Sequence, residues 1–186
     1  MRPPEETPMP TRDADLATAT RSPRPVHTLV DSPIGPLRLV ARGEEITGLY
    51  MERQRHLPAD EVFGERVDDA FDTARAQLDE YFAGDRTEFD LPLRLEGSDF
   101  QRRVWAALAE IPYGRTVSYG ELAARLGSPG ASRAVGLANG RNPIAVIVPC
   151  HRVVAADGSL GGYGGGLERK RYLLDLERGH LDERLF

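Results

Sequence analysis

The sequence predicts an α+β protein in which a small antiparallel sheet with one covering helix precedes a mostly helical half. Apolar residues alternate with turn signals over residues 26–51, a pattern typical of short strands. Apolar residues then recur at helical spacing over residues 68–83 and 98–139. The balance of charged side chains also changes at about residue 98, where the second helical region begins. Residues 1–97 carry 12 basic and 20 acidic side chains, whereas residues 98–186 carry 12 and 9, so the second half is the basic one.

The N-terminal half begins with a proline-rich stretch without aromatic residues, and residues 1–25 are therefore predicted to be a disordered tail. Strands are predicted at 26–30, 37–41 and 46–51, forming a three-stranded antiparallel meander. A helix is predicted at 68–83 and would cover the sheet with one apolar face. The residues of that face are Phe71, Ala74, Leu78, Tyr81 and Phe82. Residues 87–95 are predicted to be a short strand or an extended linker.

The C-terminal half should open with a helix over 98–111, where Ser98 and Gln101 have the spacing of a capping box. Its core stripe consists of Phe100, Val104, Leu108 and Ile111. Two short helices are predicted at 119–126 and 131–139, joined across a glycine-containing turn. This arrangement fits a helix-turn-helix, although an ordinary helical hairpin has the same pattern.

The second of these short helices is unusually poor in large side chains. Ala131 and Ser132 open it, and its long polar side chain is Arg133. A helix that reads the major groove would carry several Arg, Asn or Gln side chains, whereas small residues allow close approach to a shallow or narrow groove. The alternative for Arg133 is an ordinary ion pair with a nearby carboxylate.

The apolar run 144–154 is interrupted by Pro149, Cys150, His151 and Arg152. Cys150 is the sole cysteine, and it is either a small core residue or a nucleophile. The proline before it and the His-Arg pair after it favour the nucleophile, with its thiolate stabilised by these neighbours. Adjacent side chains on a straight strand point to opposite faces, so His151 could serve Cys150 only on a bend or through a water molecule.

A histidine that acts in this way needs a group to orient it, and Glu177 is the candidate. On a helix, Glu177 shares a face with Leu167, Leu173 and Leu174. A carboxylate on an apolar face must find a partner. The alternative is a frayed helix end at which Glu177 faces water.

Residues 161–166 read Gly-Gly-Tyr-Gly-Gly-Gly, which is too rich in glycine for a packed element. Glycine allows the backbone to approach a ligand closely, and Tyr163 would provide a flat wall. A flexible surface loop and a phosphate cradle are the alternatives, but the pattern matches neither the dinucleotide nor the Walker signature.

Taken together, Asn142-Pro143, Pro149-Cys-His-Arg152 and the 162–167 stretch closely resemble the O6-alkylguanine-DNA alkyltransferases, or methylated-DNA–protein-cysteine methyltransferases. The resemblance covers residues 98–179, less distinctively 26–95, and does not extend to residues 1–25. It implies a ribonuclease H-like support domain at 26–95. It also implies a winged-helix-like DNA-binding and alkyl-acceptor domain at 96–186, which contains the helix-turn-helix.

The resemblance implies a suicide enzyme for DNA repair. An alkyl group would pass irreversibly from O6-alkylguanine, and from O4-alkylthymine, in flipped-out bases of double-stranded DNA to Cys150. No cofactor and no metal are expected, since the chain lacks the cysteines of the N-terminal zinc site found in some relatives. A cytoplasmic monomer is expected, and clustering on DNA is left open. No stretch is apolar enough to span a membrane.

The resemblance also implies roles for individual residues. Tyr119 would donate a hydrogen bond towards N3 of the base, Asn142 would organise the bend, and Arg133 would fill the space left by the base. The backbone amide at Gly164 and the backbone carbonyls near Cys150 and Val153 would read the base edges. Lys170 would lie near the pocket rim, and Arg152 would tether the loop or a phosphate. The expected catalytic residues are Cys150, His151, Glu177, Tyr119 and Asn142. The expected DNA-binding residues are Arg133, Ala131, Ser132, Tyr119 and Arg152. The expected pocket residues are Tyr163, Gly164, Val153 and Lys170.

Two other functions remain to be weighed. Relatives that bind alkylated bases without repairing them have tryptophan in place of the cysteine, so Cys150 argues against that class. A helix-turn-helix transcription regulator would need a dimer interface or an effector domain, and neither is evident. A larger adaptive-response protein with a zinc domain is excluded by the chain length and by the single cysteine.

Overall fold

The computed structural model describes residues 23–183, with side chains described up to residue 179. The predicted disordered tail lies almost entirely outside the described residues. The fold is α+β, as predicted. The helices and strands, numbered in chain order, are β1 (Pro25–Val30), β2 (Leu37–Arg42), β3 (Glu45–Met51), β4 (Glu65–Arg66), α1 (Asp72–Ala83), α2 (Asp99–Ala109), β5 (Val117–Ser118), α3 (Tyr119–Arg125), α4 (Ser132–Gly140), β6 (Val153–Val154) and α5 (Leu167–Glu183).

The N-terminal sheet has the order β3-β2-β1-β4, and the predicted antiparallel meander is confirmed for its first three strands. The two-residue strand β4, which pairs parallel to β1, was not predicted because it has no apolar alternation of its own. Helix α1 begins at Asp72 rather than at residue 68. Asp68 instead accepts hydrogen bonds from Thr28 and Arg66, which hold it beside the sheet.

Helix α2 starts with the predicted capping box: the Ser98 side chain accepts from the Gln101 amide, and the Gln101 side chain accepts from the Ser98 amide. Helix α3 starts with a second capping box, formed by Ser118 and Glu121. On α2, Trp105 is buried and its indole N–H donates to the Ala138 carbonyl of α4 over 2.9 Å. This bond places α4 across α2 and leaves the opposite face of α4 exposed.

The two halves share one continuous core. Main-chain hydrogen bonds join strand β3 to the stretch that leads to Cys150, because Leu49 donates to the Pro143 carbonyl and accepts from the Ala145 amide. Buried apolar side chains from the sheet, α1, α2, α3 and α5 belong to the same cluster. The N-terminal half therefore supports the Cys150 segment directly. No helix among the described residues is long and apolar enough to cross a membrane.

Candidate active site

The apolar run before Cys150 folds into a tight loop held by Asn142. Its side-chain oxygen accepts from the Ile144 amide at 3.0 Å, and its amide group donates to the Val148 carbonyl at 2.7 Å. Within the loop, buried Val146 has a φ of 71°, a left-handed conformation that β-branched residues rarely adopt. Strain of this kind persists only where the surroundings enforce it. Asn142 therefore maintains a strained turn directly before Cys150.

Cys150, His151 and Arg152 form one turn of 3-10 helix, so the chain bends here as the cooperation of Cys150 with His151 would require. Successive residues of a 3-10 helix point about 120° apart, so the three side chains diverge. The obstacle of opposite strand faces is thereby removed. The turn is fixed at both ends, because Asn139 of α4 donates to the Cys150 carbonyl and β6 pairs parallel with β5.

Glu177 is fully buried and is the centre of a hydrogen-bonded network, so it does not lie at a frayed helix end. Its Oε1 is 2.8 Å from Nε2 of His151 and 3.0 Å from a guanidinium nitrogen of Arg152. Oε1 also accepts from the Tyr81 hydroxyl at 2.8 Å, and Oε2 accepts from the Gly114 amide at 2.9 Å. All of these partners are donors. An ionised carboxylate, which only accepts, suits them, whereas an amide or a protonated acid of the same shape would place a donor against another donor.

The charges in this network follow from its contacts. Burial opposes ionisation of Glu177, but hydrogen bonds and charges from His151 and Arg152 outweigh it and lower the Glu177 pKa to about 2. The carboxylate can only accept, so the His151 proton lies on Nε2. Burial lowers the pKa of His151, which keeps the ring neutral at physiological pH. Its Nδ1 is buried without a hydrogen-bond partner among the described residues and is free to accept a proton.

The Cys150 thiol is 5% exposed, and burial raises its pKa. The Asn142 side chain, the Lys170 charge and the Tyr163 hydroxyl act in the opposite direction, without reversing the effect of burial. In the DNA-free protein, burial therefore outweighs the neighbouring groups that favour the thiolate. The thiol is protonated at rest, and three groups that can stabilise a thiolate already surround it.

The glycine-rich loop is held from below by Lys170, which is the only lysine of the chain. Its ammonium donates to the carbonyls of Val153, at 2.6 Å, and of Leu160 and Gly162. A compact ammonium with three donors suits three converging carbonyls better than a planar guanidinium does. Burial lowers the Lys170 pKa to about 8.

Tyr119 connects this loop to the helix-turn-helix. Its hydroxyl donates to the Gly162 carbonyl at 3.2 Å, and its ring packs against Gly136 and Gly161. On α4, Ser132 and Arg133 are exposed and Ala131 is half-buried. Arg133 forms no ion pair with any described residue, which disfavours the alternative of a structural pairing.

Comparisons with known proteins agree with this arrangement. A family profile described as the ribonuclease-like domain of 6-O-methylguanine DNA methyltransferase matches residues 26–95, and the profile of its DNA-binding domain matches residues 99–179. The chain belongs to the 6-O-methylguanine DNA methyltransferase family. The methylated-DNA–protein-cysteine methyltransferase of Mycobacterium tuberculosis is 58% identical over 152 residues, which span 82% of this chain and 92% of the relative.

More distant and structural relatives extend this agreement. The methyltransferase of Methanosarcina acetivorans is 48% identical over 152 residues, covering 81% of this chain and 97% of the relative. The crystal structure of Mycobacterium tuberculosis OGT in complex with DNA matches with a TM-score of 0.79 and 55% identity, covering 83% of this chain and 94% of that one. The N-terminal sheet and the helical half thus have the arrangement of this methyltransferase family.

Three sequence-based expectations about this methyltransferase site need correction, and a fourth, on Val153, stays open. Arg152 is 6% exposed and is occupied by Glu177 and the Ile111 carbonyl, so it cannot reach a DNA phosphate. Lys170 lies beneath the loop rather than at the pocket rim. The Val153 carbonyl accepts from Lys170 and keeps a second lone pair, so its expected contact with the base stays a prediction. Leu167 is 50% exposed because it opens helix α5 outside the core, so Leu173 and Leu174 alone share the buried face with Glu177.

Sequence reasoning missed two residues that hold the site in place, Tyr81 and Asn139. Tyr81 was predicted only as a core residue, although a buried tyrosine hydroxyl usually has a partner, and that requirement was the available signal. Asn139 holds the Cys150 carbonyl from α4, a contact between residues eleven apart that no local pattern indicates. The Gly164 carbonyl accepts from the Arg55 amide at 2.8 Å, so that part of the loop is held from the N-terminal half.

Proposed function

We propose that this protein repairs alkylated DNA by transferring the alkyl group of O6-alkylguanine to Cys150, once per molecule. The observation that carries the proposal is geometric: the buried Cys150 is followed directly by the buried His151, whose Nε2 lies 2.8 Å from the buried Glu177 carboxylate. The family membership of the chain supports the same reaction. O4-alkylthymine remains a second expected substrate.

The first step of the proposed reaction is deprotonation of Cys150. A water molecule between Sγ and Nδ1 of His151 passes the thiol proton to the ring, because Nδ1 is the buried acceptor left without a partner. Glu177 then stabilises the imidazolium that forms. The thiolate receives stabilisation from Asn142, Lys170 and Tyr163.

In the second step the thiolate attacks the alkyl carbon from the side opposite O6. A carbon–sulfur bond forms, the carbon–oxygen bond breaks, and the electron pair leaves on the guanine. The Tyr119 hydroxyl, which donates to the Gly162 carbonyl in the DNA-free protein, is assigned to donate to the base as its negative charge develops. The final proton of the neutral guanine derives from the one that Cys150 released.

The third part of the proposal concerns DNA. The exposed small residues at the start of α4 fit the floor of a minor groove, and Arg133 projects from the same turn. Arg133 would occupy the space of the flipped base, and a damaged, poorly paired base is the cheapest to flip. Ala131 and Ser132 would allow the close approach.

We place this reaction in the cytoplasm, since a free and essential thiol suits a reducing compartment. The whole proposal is tested by intact-protein mass spectrometry after incubation with duplex DNA containing O6-methylguanine. The expected result is a gain of one CH₂, located on Cys150 by peptide mapping, with no turnover beyond one equivalent. An unchanged mass, or a methyl group on another residue, would contradict the proposal.

A further inference from the structure

Arg169 joins the glycine-rich loop to the N-terminal half of the protein. It lies in the first turn of α5, and its Nε donates to the Ile34 carbonyl in the β1–β2 turn at 2.8 Å. One terminal nitrogen donates to the Glu52 carbonyl just after β3, at 2.8 Å, and to the Gly165 carbonyl at 3.2 Å. A single guanidinium therefore holds three backbone segments together.

The same part of the N-terminal half also touches the loop directly. The Arg55 amide donates to the Gly164 carbonyl at 2.8 Å. At Gly165 there is no space for a side chain, because a Cβ would overlap Met51 Sδ and lie 3.0 Å from the Tyr163 ring. The end of β3 is thus packed against the back of the loop, whereas Lys170 holds its other side.

Tyr163 is the side chain that the loop presents towards Cys150. Its distance from the thiol depends on the position of the loop, and that position is set from behind by Arg169, Met51 and Arg55. The N-terminal half therefore contacts the back of the loop that carries Tyr163.

We propose that Arg169 sets the width of the alkyl pocket and so makes the N-terminal half a determinant of alkyl-group size. This inference rests on the proposed transfer to Cys150. Displacement needs the reacting atoms about 3–3.5 Å apart and aligned. A methyl group is held in that position only if the wall is close, whereas a benzyl group fills a wider pocket by itself. Loss of the clamp penalises small alkyl groups more than large ones.

The test compares single-turnover rates on two duplexes of the same sequence, one with O6-methylguanine and one with O6-benzylguanine, so that DNA binding cancels in the ratio. For Arg169→Ala we expect methyl transfer to fall about 10-fold or more and benzyl transfer to fall less than about 3-fold, since small misplacements cost large factors in rate. Arg171→Ala is the matched control: Arg171 is exposed on the same helix, and its loss should leave both rates unchanged.

A second measurement detects loosening of the glycine-rich loop without relying on alkyl transfer. Because Lys170 is the only lysine, reductive methylation followed by mass spectrometry reads its accessibility, with the N-terminal amine as an internal reference. Lys170 is fully buried in the native protein and should be protected in wild type and in Arg171→Ala. It should react about 10-fold faster in Arg169→Ala, because its loop carbonyls become mobile.

The outcomes separate the two proposals. Wild-type protein that transfers neither group contradicts the alkyl-transfer function itself. Wild-type transfer combined with a benzyl-to-methyl ratio in Arg169→Ala within twofold of wild type overturns the clamp, whatever the Lys170 reactivity. Should Arg169→Ala not fold, Arg169→Lys is judged by the same ratio, because it keeps the charge and loses the guanidinium fork.

Discussion

Replacing Glu177 by glutamine tests the proton relay and the network at the same time. Every partner of the carboxylate donates a hydrogen bond, as described for Tyr81, Gly114, His151 and Arg152. Glutamine has one accepting oxygen, and its NH₂ group would face donors in either orientation. The substitution therefore leaves donors unsatisfied and the Arg152 charge buried without its partner.

The cost in stability can be estimated from the pKa. The Glu177 pKa falls from 4.5 in the unfolded chain to about 2 in the folded protein. That difference corresponds to about 3 kcal/mol of folding free energy, within reach of the ~3–5 kcal/mol measured when one partner of a buried pair is removed. This stabilisation is present above pH 4.5 and is lost as the pH falls towards 2. In a chain of this size, a loss of about 3 kcal/mol lowers Tm by about 10 °C.

The kinetic effect should be separate from the loss of stability. Without the carboxylate, the imidazolium formed when His151 accepts the Cys150 proton is no longer stabilised. We expect Glu177→Gln to transfer methyl at least about 10-fold more slowly at neutral pH, the lower end of what a positioned acid–base group contributes. The deficit should shrink as the pH rises, because the thiol then ionises unaided.

The assay measures the single-turnover rate against pH at a temperature well below both Tm values, together with chemical denaturation from pH 7 down to pH 2. Asp175→Asn is the matched control, a carboxylate-to-amide change at an exposed position of α5. Parallel pH–rate profiles for wild type and Glu177→Gln would refute the relay. A stability difference that persists unchanged down to pH 2 would refute the assigned role of the Glu177 charge.

Three further predictions concern the nucleophile and the DNA face. Cys150→Ala should abolish transfer and keep DNA affinity within about twofold in a binding titration; residual alkylation of the variant would contradict Cys150 as the acceptor. Arg133→Ala should slow transfer from duplex DNA at least about 10-fold and leave transfer from free O6-benzylguanine unchanged, since only a duplex needs its flipped base replaced. Equal losses on both substrates would assign Arg133 to the fold. Leu137 is 64% exposed on α4, one turn after Arg133, and should contact the DNA groove. Leu137→Ala should therefore weaken duplex binding several-fold, whereas the control Leu167→Ala, at a similarly exposed position, should have no effect. Equal affinities of the two variants would contradict this contact.

The elements of the fold were predictable where local chemistry decides them. Ser98 and Gln101 predicted the start of α2 because a capping box is complete within four residues. The meander followed from apolar alternation interrupted by turn residues. Apolar patterning alone did not predict the structure of the run before Cys150. Its residues are apolar and β-branched, as in a buried strand, but Asn142 bonds across it and closes a turn.

The sequence indicated several of the side chains that lie together around Cys150, but fewer of their contacts. Glu177 was indicated by its position beside Leu173 and Leu174 on a helical face. Arg152 was misassigned to DNA because sequence shows a charge but not its depth, and only the packed structure reveals the Glu177 carboxylate that neutralises it. Tyr81 and Glu177 are 96 residues apart, and no spacing rule relates positions so distant.

The resting charge state has a consequence for a protein that acts once. A permanently ionised thiolate would react with any electrophile or oxidant, and each such event would remove one repair molecule. Burial raises the Cys150 pKa and suppresses that loss. The stabilising groups remain in place around the sulfur, and in the proposed relay His151 would remove the proton when an alkyl carbon is positioned to receive the thiolate. A buried relay of this kind would couple the reactivity of Cys150 to the presence of its substrate. A neighbouring cation that ionised the thiol at all times would not provide this coupling.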